Sequence, residues 1–401
     1  SPTITINSSG NTVPAPVVLD GTTPVGTQPW PAIELERYES MLVEVTGARA
    51  TSASDQYGDV TITAATERTF REPGTEYPTD LGGGLPVFDT NPEIFDLDPN
   101  GLLLPELEVF GGATFDAVGP LAYSFGDYQI WPTELTLTNP TLPRSVRPRA
   151  PGEFTVATQN FYRIYDDVDN PDMSNDYEDV FTPQEYADRL NKASLQVRTV
   201  LGAPDILGIQ EVENITVLED LAAKIVADDP TLNYTAVLEE GWDPGGIDVG
   251  FLVRDTMTIV NWYQVQADEE FEYPVGSGTY DILHDRPPLL LEAYYSAGAM
   301  DIPVSVLVVH NRSINDASER VRLKRWTQAY QISLFVQSYQ ETYPDIPLVV
   351  LGDFNAFEFT SGYVDPLGQI TGSPDPLGAQ LPCTDEVDPD LTNQIFNMPA
   401  G

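Results

Sequence analysis

The chemistry of this chain starts at Leu351-Gly352-Asp353-Phe354-Asn355-Ala356. The apolar run from Pro347 to Val350 reads as a buried strand, and a glycine ends it. The two-residue period of a strand sends Asp353 and Asn355 to the same side. A carboxylate accepts a proton or holds a water, while an amide donates to a phosphate oxygen or orients its neighbour. Taken alone, Gly-Asp-x-Asn is also the composition of a plain turn.

Three further apolar runs end on polar residues. Phe154 to Gln159 leads to Asn160, Asp205 to Gln210 leads to Glu211, and Val304 to Val309 leads to His310. In isolation Asn160 would start a turn, Glu211 would be a surface carboxylate and His310 a satisfied core histidine. In the order Asn, Gln-Glu, His and Gly-Asp-Phe-Asn, the four islands resemble the endonuclease/exonuclease/phosphatase superfamily of metal-dependent phosphodiesterases. More closely they look like its secreted bacterial nucleases. The resemblance spans about residues 152–401, with a weaker echo before it.

The resemblance implies a metal on Glu211, with Asn160 beside it as a further ligand or as an orienting group for metal-bound water or phosphate. It implies that His310 contacts the scissile phosphate or assists the leaving group, that Asp353 positions the attacking water, and that Asn355 donates to a phosphate oxygen. Arg286, in His284-Asp285-Arg286-Pro287, fits a phosphate clamp better than His284 does; His284 reads as structural. Asp248 opens a strand and reads as an orienting residue at best. The metal is expected to be Mg²⁺ or Mn²⁺, because a hard cation neutralises the phosphate that an anionic nucleophile must approach. Ca²⁺ is a further candidate as a structural ion, in the acidic loop Asp166 to Asp179. That loop lacks the spacing and the glycine of an EF-hand, so a solvated loop is its plainer reading.

The elements that must hold these residues fall into four stretches. Residues 1–38 are rich in Pro, Thr, Gly and Ser and read as an extended arm. Residues 39–137 read as β: Met41-Leu42-Val43-Glu44-Val45, Val60-Thr61-Ile62-Thr63 and Tyr123 to Ile130 lie between Gly/Pro turns. This stretch looks like the OB-like barrel that often precedes the catalytic domain of such nucleases, and Leu35 to Val43 resembles its opening strand. Residues 138–152 form a proline-stiffened linker carrying Arg144, Arg147 and Arg149. Those arginines could touch a phosphate backbone or simply neutralise acidic neighbours. From residue 153 to 401, strands alternate with helices. Thr182-Pro183-Gln184-Glu185 is a capping box, followed by an apolar stripe from Tyr186 to Val200 and a stop at Gly202. A second long helix is expected from Ser318 to about Tyr339. The fold class is α/β: an OB-like β domain followed by a four-layer α/β sandwich of two mixed sheets with outer helices.

The formal charge of −43, with 62 Asp and Glu and only Lys192, Lys224 and Lys324 as lysines, argues against a broad basic nucleic-acid-binding face. It fits a saline setting or an acidic secreted enzyme. Nucleic acid remains the expected substrate, since a metal and a few arginines neutralise phosphate locally. The single cysteine, Cys383, excludes an intramolecular disulfide and reads as a packed thiol. No apolar run approaches a membrane span, and Ser1-Pro2-Thr3-Ile4-Thr5 is not a signal peptide. An extracellular monomer with no membrane partner is expected.

In the resembling nucleases the chain closes with a strand and a Ser-Asp-His whose histidine transfers the proton. No Asp-His pair follows Asn355. The sandwich is therefore expected to lack its C-terminal strands, and activity to be strongly reduced, since losing one member of a catalytic set costs orders of magnitude. Two competing functions keep their place: a phosphoesterase of the same fold acting on a phospholipid or small phosphoester, and a non-catalytic surface binding protein.

Overall fold

The computed structural model describes residues 8–23, 34–65, 94–102, 107–141, 145–169, 180–297, 300–313, 318–356 and 364–372. The chain divides into two compact units, residues 1–142 and 143–401. Both are built from strands, and the second adds helices, so the protein is a mixed α/β protein with several sheets.

The first unit holds β1 (Val17–Leu19), β2 (Leu42–Ala50), β3 (Val60–Thr63), β4 (Ile94–Leu97), β5 (Thr114–Ser124), β6 (Asp127–Ile130) and β7 (Glu134–Thr138). Their order is β1-β2-β3-β4-β6-β5-β7, and β2 also pairs with β5. That extra pairing closes β2, β3, β4, β6 and β5 into a ring, with β4 and β6 parallel and the other ring pairs antiparallel. Alternation decides what fills it: Val43, Val45, Ile62, Leu97, Leu121 and Ile130 all point into one core.

Two expectations for this unit are corrected. Tyr123 to Ile130 is not one strand. Phe125 and Gly126 have φ of 54° and 112°, so the chain reverses there and Ser124 pairs with Asp127. Leu35 to Val43 is not one strand either: Glu34–Tyr38 form a 3₁₀ turn, Ser40 has φ 64°, and the strand begins at Leu42.

The second unit begins with β8 (Val156–Ile164), α1 (Pro183–Leu195), β9 (Ile206–Val212), α2 (Ile215–Asp228), β10 (Tyr234–Leu238) and β11 (Asp248–Arg254). It continues through β12 (Met257–Gln264), β13 (Glu270–Glu272), β14 (Tyr280–Ile282), β15 (Leu289–Ala297), β16 (Met300–His310), α3 (Glu319–Thr342), β17 (Leu348–Asp353) and α4 (Pro366–Thr371). One sheet runs β10-β11-β9-β8 and the other β12-β15-β16-β17; β8–β9 and β16–β17 are the parallel pairs. Ile206, Phe251 and Val253 of the first sheet share a core with Leu289, Val306 and Val308 of the second. Leu207, Ile209 and Leu252 face the other way, onto Val197, Leu218 and Leu221. Leu290, Leu307 and Val309 likewise face Ile332 and Tyr339 of α3.

The capping box forms in full: Glu185 N–H donates to the Thr182 hydroxyl, and the Glu185 carboxylate accepts from Thr182 N–H. After Leu195 the helix continues as a π turn, Gln196–Val200, and Gly202 ends it with φ 68°. Gly208 serves the packing between sheets, since a Cβ there would lie 2.3 Å from Leu351 Cδ1. No helix among the described residues is long and apolar enough to cross a membrane. Residues 373–401, with Cys383, lie outside the described residues, as do Arg144 and most of the acidic loop, so the expected lack of closing strands falls there too.

Candidate metal and phosphate site

Two parallel strand pairs deliver the site. In one, Asn160 of β8 pairs with Gln210 of β9, so Glu211 follows directly. In the other, His310 at the end of β16 pairs with Asp353 at the end of β17. Gly352 makes the second pairing possible. Its φ is 132°, and a Cβ would lie 2.0 Å from the Val309 carbonyl oxygen, so no side chain fits.

Glu211, His310 and Asp353 converge: one ligand atom from each lies within 4.8 Å of the others. His310 Nε2 is 3.9 Å from Glu211 Oε1. Asn160 Nδ2 donates to Glu211 Oε1 at 3.0 Å and to Asp353 Oδ2 at 3.1 Å. Its Oδ1 accepts from Tyr162 N–H at 2.8 Å. As placed, Asn160 ties the two carboxylates together. Asp353 Oδ1 accepts from Asn355 N–H at 2.9 Å, and Asn355 Nδ2 donates to the Asn311 carbonyl at 2.9 Å. The Asp353 turn is thereby fastened to the end of β16.

His310 is buried, and burial followed by the nearby Arg286 charge pushes its pKa down to about 2. It is a neutral imidazole at any ordinary pH, and its Nδ1 is buried without a partner. Two carboxylates and a neutral imidazole suit a divalent cation: the oxygens fit Mg²⁺, and the nitrogen widens the choice to Mn²⁺. The residues present therefore fit the divalent cation that the resemblance implied.

Arg286 also lines this cleft, whose volume is about 700 Å³. Its Nη1 donates to Asp243 at 2.7 Å, and Nε and Nη2 reach the carbonyls of His310 and Asn311 at 3.4 and 3.3 Å. A guanidinium has five N–H donors, so two remain for a phosphate. Asp243 also accepts from Gly245 N–H at 2.8 Å, and Asp248, at the end of the same loop, is buried and accepts from Gly241 N–H at 2.8 Å. Burial, with Glu240 beside it, raises the Asp248 pKa to about 9, so it sits protonated and positions the loop.

His284 is buried apart from the cleft lining, its pKa driven down to about 3 mainly by burial. Arg147 pairs with Glu153 at 2.7 Å and Arg149 with Asp205 at 2.6 Å, so these two neutralise acidic neighbours. The sequence reading missed Tyr162, Arg163, Asp243, Arg312, Arg320 and Lys324, all of which line the cleft. The signal available was adjacency: Tyr162 and Arg163 follow Asn160, and Arg312 follows His310.

Comparison with known families fits this geometry. The endonuclease/exonuclease/phosphatase family matches residues 155–369, more than half of the chain. The chain belongs to the endonuclease/exonuclease/phosphatase family. Membership makes hydrolysis of phosphodiester bonds its general chemistry, and enzymes of this family typically use divalent metals. A second family, described only as a domain of unknown function, matches residues 34–141. No curated protein matches the chain.

Among solved structures, humanized D. rerio TDP2 is similar at 16% identity and TM-score 0.31, covering 51% of this chain and 67% of that one. TDP2 from Caenorhabditis elegans matches at 18% and 0.28, and the chain spans only 44% of its length. The human Nocturnin catalytic domain matches at 18% identity and TM-score 0.27, covering 42% of this chain and 58% of that one.

Proposed function

We propose that the protein is a metal-dependent phosphodiesterase that hydrolyses nucleic acid, DNA before RNA, outside the cell. The observation that carries this reading is the convergence of Glu211, His310 and Asp353 within 4.8 Å in a cleft also lined by Arg286. These three residues would hold Mg²⁺ or Mn²⁺, which supplies neutralisation of phosphate charge and a more acidic bound water.

The remaining steps belong to the chain itself. Asn160 fixes the spacing of the two carboxylates. The free N–H donors of Arg286 orient a phosphate oxygen. Asp353 is the proton acceptor that orients the attacking water, and Asn355 holds it in place. His310, neutral and facing Glu211, would offer its Nε2 lone pair to the cation, which leaves Arg286 to donate to the phosphate. In this reading the second unit is a four-layer α/β sandwich acting as a monomer. The first unit is an OB-like barrel, a reading supported by the closed ring of β2, β3, β4, β6 and β5. The charge of −43 fits an acidic secreted enzyme, and the lone cysteine is compatible with bacterial secretion.

The test is hydrolysis by the native gene product of plasmid DNA, RNA and phospholipid vesicles in Mg²⁺ or Mn²⁺. DNA cleavage that stops with chelator supports the reading. Cleavage of phospholipid alone replaces the substrate, and chelator-resistant cleavage removes the metal.

A further inference from the structure

The β8 strand does not stop at Asn160, and the way it continues shapes the cleft. Asn160 pairs with Gln210, and the next pair is Ile164 with Val212, so Phe161, Tyr162 and Arg163 stand against Glu211 alone. Tyr162 and Arg163 both adopt left-handed backbone, with φ of 54° and 55°. Arg189 braces this bulge from α1, its Nη1 donating to the carbonyls of Tyr162 and Arg163 at 3.1 and 2.7 Å. Bulges beside active sites re-aim side chains. Here the outcome is a tyrosine left 79% exposed at the lip and an arginine beside it, both lining the cleft.

Arg312 lines the same cleft from the other sheet, just past β16. Its backbone N–H is anchored on Gln328 at 2.9 Å, and its Nε is buried without a partner. Arg286, Arg320 and Lys324 are matched by Asp243, Asp281 and Asp285. Among the described residues no carboxylate pairs with Arg163 or Arg312. In a chain of net charge −43, two arginines in one cleft that no described carboxylate matches mark a site for more anion than a single phosphate brings.

We propose that the cleft binds a polynucleotide across the metal site, Arg163 and Arg312 taking the phosphates on either side of the one to be cleaved and Tyr162 stacking on a base. Arg163 belongs to the sheet that carries Glu211, and Arg312 follows β16 of the sheet that carries Asp353. A strand lying across both sheets keeps a phosphate on each side of the scissile one, so the bonds cut are internal. This rests on the hydrolase reading above and adds the substrate's extent and register.

The test uses two fluorescent single-stranded dodecamers with Mg²⁺ present, followed by anisotropy. Both carry a non-hydrolysable, fully charged methylenephosphonate at the central linkage. One has ordinary charged flanking linkages, and the other has neutral methylphosphonates there. The wild-type chain should bind the charged dodecamer about tenfold more tightly, with a log K against log salt slope steeper by roughly 1 to 2. Arg163→Gln and Arg312→Gln should each shrink that difference, and together abolish it. Tyr162→Ala should weaken both dodecamers alike, by about tenfold, and Tyr162→Phe should restore them. Arg163 is exposed, so its variant should fold, and circular dichroism verifies each. Equal, Mg²⁺-dependent binding of both dodecamers by wild type, or equal loss for both in the arginine variants, overturns this proposal alone. Absence of Mg²⁺-dependent binding to either overturns the hydrolase reading with it.

Discussion

His310 and Asp353 stand opposite one another at the ends of neighbouring parallel strands. Gly352 allows that approach, and the carboxylate that follows inherits its position from the backbone. Gly352→Ala places a Cβ against the Val309 carbonyl at a φ that L residues rarely adopt. The variant should lose about 3 kcal/mol of stability or more, read as a lowered Tm.

Asn160 acts through the carboxylates it joins. Asn160→Ala leaves Glu211 and Asp353 without their shared donor, and two acidic groups so close repel until a cation arrives. Mn²⁺ affinity by calorimetry should fall roughly 10- to 100-fold, with circular dichroism unchanged. Unaltered affinity would show that the strands alone set the spacing.

The Asp248 carboxyl gives stability a pH dependence of definite sign. Its folded pKa is raised to about 9 from an ordinary 3.8, so the folded state holds a proton that the unfolded state releases. That contribution is fully present below pH 4 and is lost as pH rises towards 9. Asp248→Asn keeps a neutral group of the same shape, so its Tm should match wild type near pH 4 and exceed it at pH 8. Equal behaviour of the two proteins at both pH values would refute a buried protonated carboxyl.

The buried histidines work at the other end of the scale. His284 is held neutral to about pH 3, whereas an unfolded histidine takes up its proton near 6.5. Stability from this source is complete above pH 6.5 and is lost as pH falls towards 3. Chemical denaturation at pH 7 and pH 4 should therefore show a smaller acid-induced loss in His284→Leu than in wild type.

The sequence disclosed the four islands because a buried strand has an unmistakable apolar run and a polar residue where it emerges. Glu211, His310 and Asp353 were legible for that reason, as were the capping box at Thr182 and the helix after Ser318. Backbone reversals were harder to read. Tyr123 to Ile130 hides its turn because Phe125 occupies a left-handed position usually given to Asn or Gly. By its apolar run Asn160 reads as a strand end, yet β8 runs on through a bulge whose braces, the Arg189 hydrogen bonds, come from a distant helix. Pairings such as Arg286 with Asp243 depend on which loops the sheets bring together, and local pattern does not carry that information.

The central claim is that Glu211, His310 and Asp353 hold a divalent cation. Isothermal titration of the chain with Mn²⁺, wild type beside Glu211→Gln, tests it without depending on turnover. One site should titrate in wild type, and removal of the carboxylate charge should weaken it at least tenfold while the fold, followed by circular dichroism, is kept. Equal Mn²⁺ affinity in the two proteins would contradict the metal site and the phosphodiesterase reading built on it.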